Sequence, residues 1–268
     1  MQVRVGGEAV YAYTGSRAPE PGRQAIVFVH GAANDHSVWA LQSRYFAYHD
    51  RNVYAVDLPG HGRSGGGATG SVEALSDWIV AFLDAADLGS AALVGHSLGS
   101  LAVLEAAARY PERVTRIALL GPAVPMAVSD MLLAAAHADD HVAFELINGW
   151  SHSAERRLGG NPWPGVWMTG NAMRLMERGR PGRLFADLTA CRDYANGLRA
   201  AESIRCPALL VLGARDLMAP PSAARVLAET LADVRVDNLP GCGHAMMSER
   251  PDAVLDSLRE FLRLADFP

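Results

Sequence analysis

A serine between two glycines is the feature of this sequence with the clearest chemical meaning. Residues 95–99 read GHSLG, a G-x-S-x-G pattern with Ser97 at its centre. The pattern follows the apolar run 91–94 and opens a helical pattern, which places the serine on a sharp turn between a strand and a helix. A helix N-terminus favours negative charge that develops beside it. We therefore predict that Ser97 is a nucleophile, the alternative being a glycine-rich turn without function.

A serine hydroxyl becomes a good nucleophile only when a base takes its proton. After a serine on such a turn, an acid and then a histidine are expected in chain order. Asp216 lies just past the apolar run 208–213, and His244 follows the strand-like residues 234–236. We predict His244 as the base and Asp216 as the acid that orients it, although a helix cap and a surface loop are the respective alternatives. Asp237 is a rival acid, but it stands too close to His244.

Acyl transfer also needs hydrogen-bond donors for the oxygen that becomes negatively charged. One donor is expected at the backbone N–H of Leu98, directly after the nucleophile. The other is expected in the loop after the apolar run 24–29, which reads HGAAN. We predict the N–H of Ala32, because small residues let the backbone approach a substrate.

Short apolar runs alternate with helical patterns along most of the chain. The runs are continuously apolar, which is typical of parallel strands that are covered on both faces. They occupy residues 24–29, 52–57, 91–94, 114–120 and 208–213, and an earlier strand is predicted at 9–14. Helical patterns occupy 72–88, 98–110 and the C-terminal region. This order predicts an α/β fold with a mostly parallel central sheet and helices on both faces.

The alternation stops between residues 122 and 199, where helical patterns surround the aromatic, glycine-rich segment 159–170. An insertion of this length is too long for an ordinary connection between strands. We predict that residues 122–199 form a helical cap over the carboxyl ends of the strands, where open α/β sheets bind ligands. Residues 1–121 and 200–268 are then the core domain.

The composition narrows the classes of protein and partner. The chain has 268 residues, of which 50% are hydrophobic and 20% charged, as in a packed globular protein. The net charge of −5 argues against a nucleic-acid partner. No apolar stretch reaches the roughly 18 residues of a membrane span, and no apolar signal core is visible at the N-terminus. We therefore expect a cytoplasmic protein without a membrane partner.

No motif in the sequence indicates a cofactor or a metal. The nine histidines form no HExxH pattern, and neither a P-loop nor an early G-x-G-x-x-G occurs. The three cysteines, Cys191, Cys206 and Cys242, form no CxxC pair, and their odd number suits a reduced compartment. We expect no cofactor and no metal, and the sequence leaves the oligomeric state open.

Five segments together resemble the α/β-hydrolase superfamily, in particular its capped, esterase-like branch. In chain order they read HGAANDHSVW, DLPGHGRS, GHSLGS, GARDLMAP and GCGHAMMSERP. The resemblance covers the core segments and is specific because all five recur in order, whereas the cap matches only in kind. It implies the α/β-hydrolase fold, with Ser97 as nucleophile, His244 as base and Asp216 as orienting acid. One departure is Ser100, where many relatives carry glycine.

Other polar residues of these segments are predicted to be structural. Asp57, His61 and Arg63 of DLPGHGRS are expected to hold a loop beside the site by hydrogen bonds. His30 and His96 are expected to be buried with a satisfied hydrogen bond.

These observations predict an enzyme, a carboxylesterase-like serine hydrolase that cleaves a small ester through an acyl-enzyme on Ser97. Its partner is then a small-molecule substrate. A C–C bond hydrolase of vinylogous diketones and a lactonase, using the same three side chains, stay open as alternatives. So does a ligand receptor with little turnover, because fold alone does not establish function.

The predicted cap also bears on the substrate. It is rich in methionine, leucine and tryptophan, which favours a mostly apolar pocket above Ser97 and medium-chain acyl or aryl esters over acetate. Trp163 and Trp167 are the predicted substrate contacts, with packing inside the cap as the alternative. A charged substrate would need a cation from the cap, for which the candidates are Arg156, Arg157, His141 and His152.

Overall fold

The computed structural model describes residues 1–160 and 165–263, and eight strands within them form one sheet. The strands are β1 (Gln2–Val5), β2 (Glu8–Tyr13), β3 (Ala25–Val29), β4 (Asn52–Val56), β5 (Ala91–His96), β6 (Val114–Leu120), β7 (Ala208–Gly213) and β8 (Val234–Leu239). Their order in space is β1-β2-β4-β3-β5-β6-β7-β8. β1 and β2 run antiparallel, whereas β3 to β8 are parallel. The predicted mostly parallel sheet is confirmed.

The continuous apolar runs are strands that are buried on both faces, as the sequence suggests. Every residue of β3, β4, β5 and β7 is buried, because helices cover both faces of the sheet there. β1 was not predicted, since only Val5 among its four residues is buried and the segment carries no apolar run.

Twelve α-helices occur in the described residues. They are α1 (Ala40–Ala47), α2 (Val72–Ala85), α3 (Leu98–Arg109), α4 (Asp130–His137), α5 (Val142–Ser151), α6 (Ala154–Arg157), α7 (Met168–Glu177), α8 (Arg183–Asp193), α9 (Gly197–Ser203), α10 (Arg225–Thr230), α11 (Met246–Glu249) and α12 (Pro251–Phe261). One apolar core joins the sheet to α2, α3, α9 and α10, and a second joins its other face to α1, α11 and α12. None of these helices is both long enough and apolar enough to cross a membrane.

The described residues between β6 and β7 form helices only. We call α4 to α8 the inserted helices; α4, α5, α7 and α8 share an apolar cluster that also includes Ala33 from the loop after β3. The buried members from these helices are Leu132, Leu133, Ala136, Ala143, Met176, Leu184 and Leu188. α9 packs against α3 instead and contributes Ala200 and Ala201 to the main core. The loop after β3 and the inserted helices are therefore packed together.

The parallel strands end at one edge of the sheet. Val29 of β3 is paired with Gly95 of β5, and Gly213 of β7 with Leu239 of β8. The segments that follow β3, β5, β7 and β8 therefore meet at this edge, which is where open α/β sheets bind their ligands.

Candidate active site

Ser97 stands on a strained turn at the end of β5. Its backbone has φ 53° and ψ −120°, and α3 begins at the next residue. A positive φ is uncommon for a residue with a side chain, and such strain is concentrated at functional sites. The neighbouring glycines make the turn possible: a side chain at Gly95 would strike the carbonyl of Gly99, and one at Gly99 would strike the carbonyl of Val29. The G-x-S-x-G pattern thus has a steric cause in this fold.

Asp216 and His244 lie together beside this turn. Oδ2 of Asp216 is 2.7 Å from Nδ1 of His244, and both residues are buried, with 3% and 5% of their surface exposed. The other carboxylate oxygen, Oδ1, accepts hydrogen bonds of 2.8 Å from the backbone N–H groups of Met218 and Ala219. Asp216 therefore caps the following backbone and orients the imidazole at the same time. Asp237, the rival acid, pairs with Arg235 at 2.8 Å instead.

Gly121 is a site residue that the sequence analysis missed. It follows β6 with φ +57°, and a Cβ there would lie 3.0 Å from both Cε1 and Nδ1 of His244 and 3.5 Å from Oδ2 of Asp216. Only glycine leaves this space to the imidazole and the carboxylate. A glycine directly after the apolar run 114–120 was the available signal.

His96, the residue before the predicted nucleophile Ser97, holds the loop of His244, the predicted base. Nε2 of His96 donates a hydrogen bond of 3.0 Å to the carbonyl oxygen of His244, and the two rings lie 4.6 Å apart. Burial and the neighbouring His244 lower the pKa of His96 to about 3, so its ring is neutral at ordinary pH. Nδ1 of His96 has no hydrogen-bond partner among the described residues. The predicted burial and hydrogen bond are confirmed, but only one ring nitrogen takes part.

The buried carboxylate of Glu249 also holds the loop that carries His244. Glu249 is fully buried, and it accepts hydrogen bonds from the backbone N–H of Gly243 at 3.1 Å and of Ser153 at 3.3 Å. The backbone N–H of Ala245 donates to the carbonyl oxygen of Ser151 at 2.9 Å. The loop that carries His244 is thus fastened to the end of α5.

The loop after β3, residues 30–34, lies against the nucleophile turn. A Cβ at Gly31 would come within 3.0 Å of Cβ of Ser97. The N–H of Ala33 donates to Oδ2 of Asp187 at 2.9 Å, and that of Asn34 donates to the carbonyl of Gly31 at 3.3 Å. Within the described residues the N–H of Ala32 has no such partner, so it is the one of the three that is available for a ligand. We call residues 30–34 the oxyanion loop, after the role predicted for it.

Leu98 is the first residue of α3. The N–H groups of the first helical turn have no partner inside the helix. The N–H of Leu98 follows Ser97 directly, as the prediction of a second donor requires.

The segment DLPGHGRS holds a loop beside the site. Oδ1 of Asp57 accepts bonds of 2.7 Å from both the backbone N–H and Nδ1 of His36, and Oδ2 accepts one of 2.8 Å from the N–H of Arg63. Nε2 of His61 lies 2.8 Å from Oδ2 of Asp187. His30 accepts from the N–H of Leu58 at 3.0 Å, and burial lowers its pKa to about 4.

One group of side chains has the composition of a metal site. Asp35, His36 and Asp57 each offer a ligand atom, and these atoms lie within 4.8 Å of one another. These side chains already have hydrogen-bond partners: Asp35 accepts from the N–H of Ser37 at 2.8 Å, and Asp57 binds His36 as described above. These bonds explain the group without an ion.

A cavity of about 1280 Å³ opens above Ser97 and His244. Ala32 from the oxyanion loop lies in its wall, which otherwise comes largely from apolar side chains of the inserted helices. These include Leu132, Ile147, Trp150, Met168, Leu175 and Leu188.

Of the two predicted aromatic contacts, Trp167 does not line the cavity. Trp167 is 70% exposed, and its ring lies over Gly170 one turn further along α7. It stands just before the helix, where its ring folds onto the outer face, and Val166 and Met168 line the cavity in its place. Trp163 lies outside the described residues.

Of the four predicted cations, only His152 reaches the cavity wall. Burial lowers the pKa of its imidazole, which keeps the ring neutral. His141 is exposed and lies 2.9 Å from Glu177. Arg156 and Arg157 belong to α6 and are not part of the wall.

Comparison with known proteins shows the family of this chain. The model of the alpha/beta hydrolase family matches residues 26–257. A pimeloyl-(acyl-carrier protein) methyl ester esterase of Chromobacterium violaceum is 32% identical, over 88% of this chain and 93% of the relative. The enzyme of that name from Aromatoleum aromaticum is 31% identical, over 86% of this chain and 94% of the relative. The enol-lactonase of Burkholderia xenovorans LB400 has the same fold, with a TM-score of 0.86 and 23% identity over 98% of this chain and 99% of that one.

Proposed function

This chain belongs to the α/β-hydrolase family, and from that premise we propose that it is a serine hydrolase that cleaves a small carboxylic ester. The observation that carries the proposal is the buried contact of 2.7 Å between Asp216 and His244 beside the strained turn of Ser97. A nucleophile, a base and an orienting acid at one sheet edge are the parts that acyl transfer requires.

In the first half of the reaction, Oγ of Ser97 attacks the ester carbonyl carbon while Nε2 of His244 takes its proton. Asp216 accepts a hydrogen bond from Nδ1–H, which fixes the tautomer that can receive this proton and stabilises the resulting cation. The N–H groups of Ala32 and Leu98 hold the negative oxygen of the tetrahedral intermediate. His244 then returns the proton to the leaving alcohol, which departs as the acyl-enzyme forms.

In the second half, a water molecule gives a proton to His244 and attacks the acyl carbon. The tetrahedral intermediate uses the same two N–H groups. Its collapse releases the carboxylic acid and returns the proton to Ser97. His96 and His30 have no part in these transfers in the proposal, because their lowered pKa values of about 3 and 4 make them poor proton acceptors.

The inserted helices act as the cap in this proposal and select the acyl group. Their apolar side chains line a cavity of about 1280 Å³, which is larger than the roughly 300–1,000 Å³ of an ordinary small-molecule site. The relatives from Chromobacterium violaceum and Aromatoleum aromaticum are named as esterases of a pimeloyl-(acyl-carrier protein) methyl ester, whose acyl group has seven carbons. We therefore infer a medium-chain acyl or aryl ester as the substrate class.

The test is covalent labelling together with turnover. A fluorophosphonate probe is expected to label Ser97 and no other serine, as located by mass spectrometry of the intact protein and its peptides. Ser97→Ala is expected to lose esterase activity by several orders of magnitude with an unchanged melting temperature. Ser203→Ala, which changes an α9 hydroxyl bonded to the carbonyl of Ala200, is the matched control.

The same experiment separates the alternatives. A panel of p-nitrophenyl esters, lactones and vinylogous diketones is assayed with the wild type and Ser97→Ala. Faster turnover of a lactone or diketone than of any ester would replace the ester in the proposal. Labelling at Ser97 with no turnover of the whole panel would support a ligand receptor.

A further inference from the structure

We infer that Asp187 on α8 is a positioning residue for the oxyanion loop, so that the inserted helices set the direction of the N–H of Ala32. The inference rests on the proposed function, since it assigns Asp187 a part in the same acyl transfer. The inference goes beyond the proposed function because Asp187 belongs to the inserted helices and no sequence motif points to it.

One carboxylate oxygen makes both contacts that matter. Oδ2 of Asp187 accepts the N–H of Ala33 at 2.9 Å and lies 2.8 Å from Nε2 of His61. Asp187 is only 6% exposed. Charge-assisted hydrogen bonds in a buried setting are stronger than neutral ones at a surface. The contact joins residues that are 154 positions apart in the chain.

The oxyanion loop needs such a contact because its backbone is strained. Ala33 has φ +54°, a region that residues with a side chain rarely adopt. The N–H of Asn34 closes the turn on the carbonyl of Gly31 at 3.3 Å, which is a long bond for a turn. Asp187 fixes the peptide between Ala32 and Ala33. The N–H of Ala32 belongs to the preceding peptide, which meets this one at the Cα of Ala32, so its direction depends on this anchor.

His61 holds the anchor itself in place. Its Nε2 faces Asp187, its Nδ1 lies 3.1 Å from the carbonyl oxygen of Pro59, and its ring lies 5.0 Å from that of His30. His30 is the first residue of the oxyanion loop. His61 thus contacts both the oxyanion loop and Asp187, and Asp187 in turn binds the loop. These contacts hold the carboxylate of Asp187 in one position.

The apolar contacts lead to the same arrangement. Ala33 belongs to the apolar cluster of the inserted helices, which on α8 includes Leu188, directly after Asp187. A movement of α8 would carry the carboxylate that binds the N–H of Ala33. The donor for the oxyanion is thus coupled to the position of the cap.

The experiment compares Asp187→Leu and Asp187→Asn with Leu184→Ala as a matched control. Leu184 is 4% exposed in the same helix and does not line the cavity, so its truncation weakens the packing of α8 without removing the acceptor. For each protein, kcat and KM for p-nitrophenyl butyrate, the inhibition constant of phenylboronic acid and the melting temperature are measured. Phenylboronic acid forms a tetrahedral adduct on a serine and so reports on the oxyanion donors.

Asp187→Leu is expected to lower kcat about 10- to 100-fold, the scale of a displaced catalytic group, with KM nearly unchanged. Boronate affinity should fall in parallel with kcat. Asp187→Asn keeps an acceptor for Ala33 and should recover most of kcat. Leu184→Ala should lower the melting temperature while kcat and boronate affinity stay close to wild type.

Two results would overturn the inference alone: an unchanged kcat in Asp187→Leu, or an equal loss of kcat in Leu184→Ala at the same melting temperature. If Asp187→Leu does not fold, Asp187→Ala replaces it, because it also removes the acceptor: a loss of kcat and boronate affinity greater than that of Leu184→Ala supports positioning, and wild-type kcat contradicts it. A wild type that neither hydrolyses the ester nor reacts at Ser97 would remove the proposed function as well.

Discussion

Nε2 of His96 lies 3.0 Å from the carbonyl oxygen of His244, so the residue before Ser97 is hydrogen-bonded to the backbone of His244, 148 positions later. This contact forms inside the protein, where the ring of His96 is 4% exposed. A neutral imidazole suits it, because Nε2–H donates and no counter-charge is needed. The arrangement has a cost that appears when the pH falls.

Acidification is expected to destabilise the protein through His96 and His30. Their pKa values in the folded state are about 3 and 4, below the ordinary value of about 6.5 for an unfolded chain. Between these values only the unfolded chain binds the protons, so the free energy of unfolding decreases as the pH drops below 6.5. Each histidine contributes on the order of 1 kcal/mol per pH unit. Urea unfolding between pH 4.5 and 7.5 measures the slope.

His96→Gln should make that slope shallower. His141→Gln is the control: contacts with Glu177 and Glu145 raise the pKa of exposed His141, so its own contribution is lost as the pH rises and cannot explain a loss on acidification. Equal slopes in wild type and His96→Gln would show that folding does not lower the pKa of His96.

The assignment of the acid is tested by two matched amides. Asp216→Asn is expected to lower kcat about 10³- to 10⁴-fold, because an amide no longer fixes the tautomer of His244. Asp237→Asn should keep wild-type kcat, since Asp237 pairs with Arg235 away from the site. Steady-state kinetics on one p-nitrophenyl ester measures both. If Asp237→Asn is the more damaging change, Asp237 is the acid.

Gly121→Ala is expected to reduce kcat more than it reduces stability. The added Cβ would lie 3.0 Å from the ring of His244, which displaces the base, and φ +57° is strained for alanine at a cost of about 1 kcal/mol. Gly70→Ala is the matched control, because Gly70 has φ +78° but nothing within 4 Å of an added Cβ. Both variants then share the backbone strain of alanine at a positive φ, and only Gly121→Ala should lose kcat. Similar kcat values in the two variants would contradict a displaced base.

Acyl-chain preference is expected to follow the volume of the cavity. For p-nitrophenyl esters from acetate to octanoate, kcat/KM should rise by at most ~0.8 kcal/mol per methylene, about fourfold. Ala172→Phe places a ring in the cavity wall and should move the optimum to shorter chains. Trp167→Ala should leave it unchanged, because that side chain is 70% exposed. A best rate on acetate in the wild type would exclude the apolar acyl subsite.

Local patterns were sufficient for much of this molecule. The segments around Ser97, Asp216 and His244 each follow a buried apolar run, and strand ends of a parallel sheet meet at one edge. For that reason the sheet, its covered faces and the residues at its edge could be predicted without knowing any contact between them. β1 was not predicted because its residues are mostly exposed, so its sequence resembles that of an ordinary surface segment.

The remaining features depend on contacts between distant segments. Asp187 reads as one more polar residue of a helix, and only the packing of α8 on the oxyanion loop brings it to Ala33. The pattern around Trp167 indicates a cap, but it does not say which face of α7 the ring takes. Gly121 could have been predicted, because the sequence shows a glycine directly after a buried strand.

The order of the strands along the chain also has a consequence for synthesis. Ser97 precedes His244 by 147 residues, which a ribosome adds in roughly 7 to 30 s at ~5–20 residues per second. During that interval the nascent protein holds the serine while β8 and the loop of His244 do not yet exist. Its hydroxyl is then an ordinary alcohol, so the growing chain is inert toward the esters around it. Under the proposed mechanism, hydrolysis can begin only after β8 and the loop of His244 have been added.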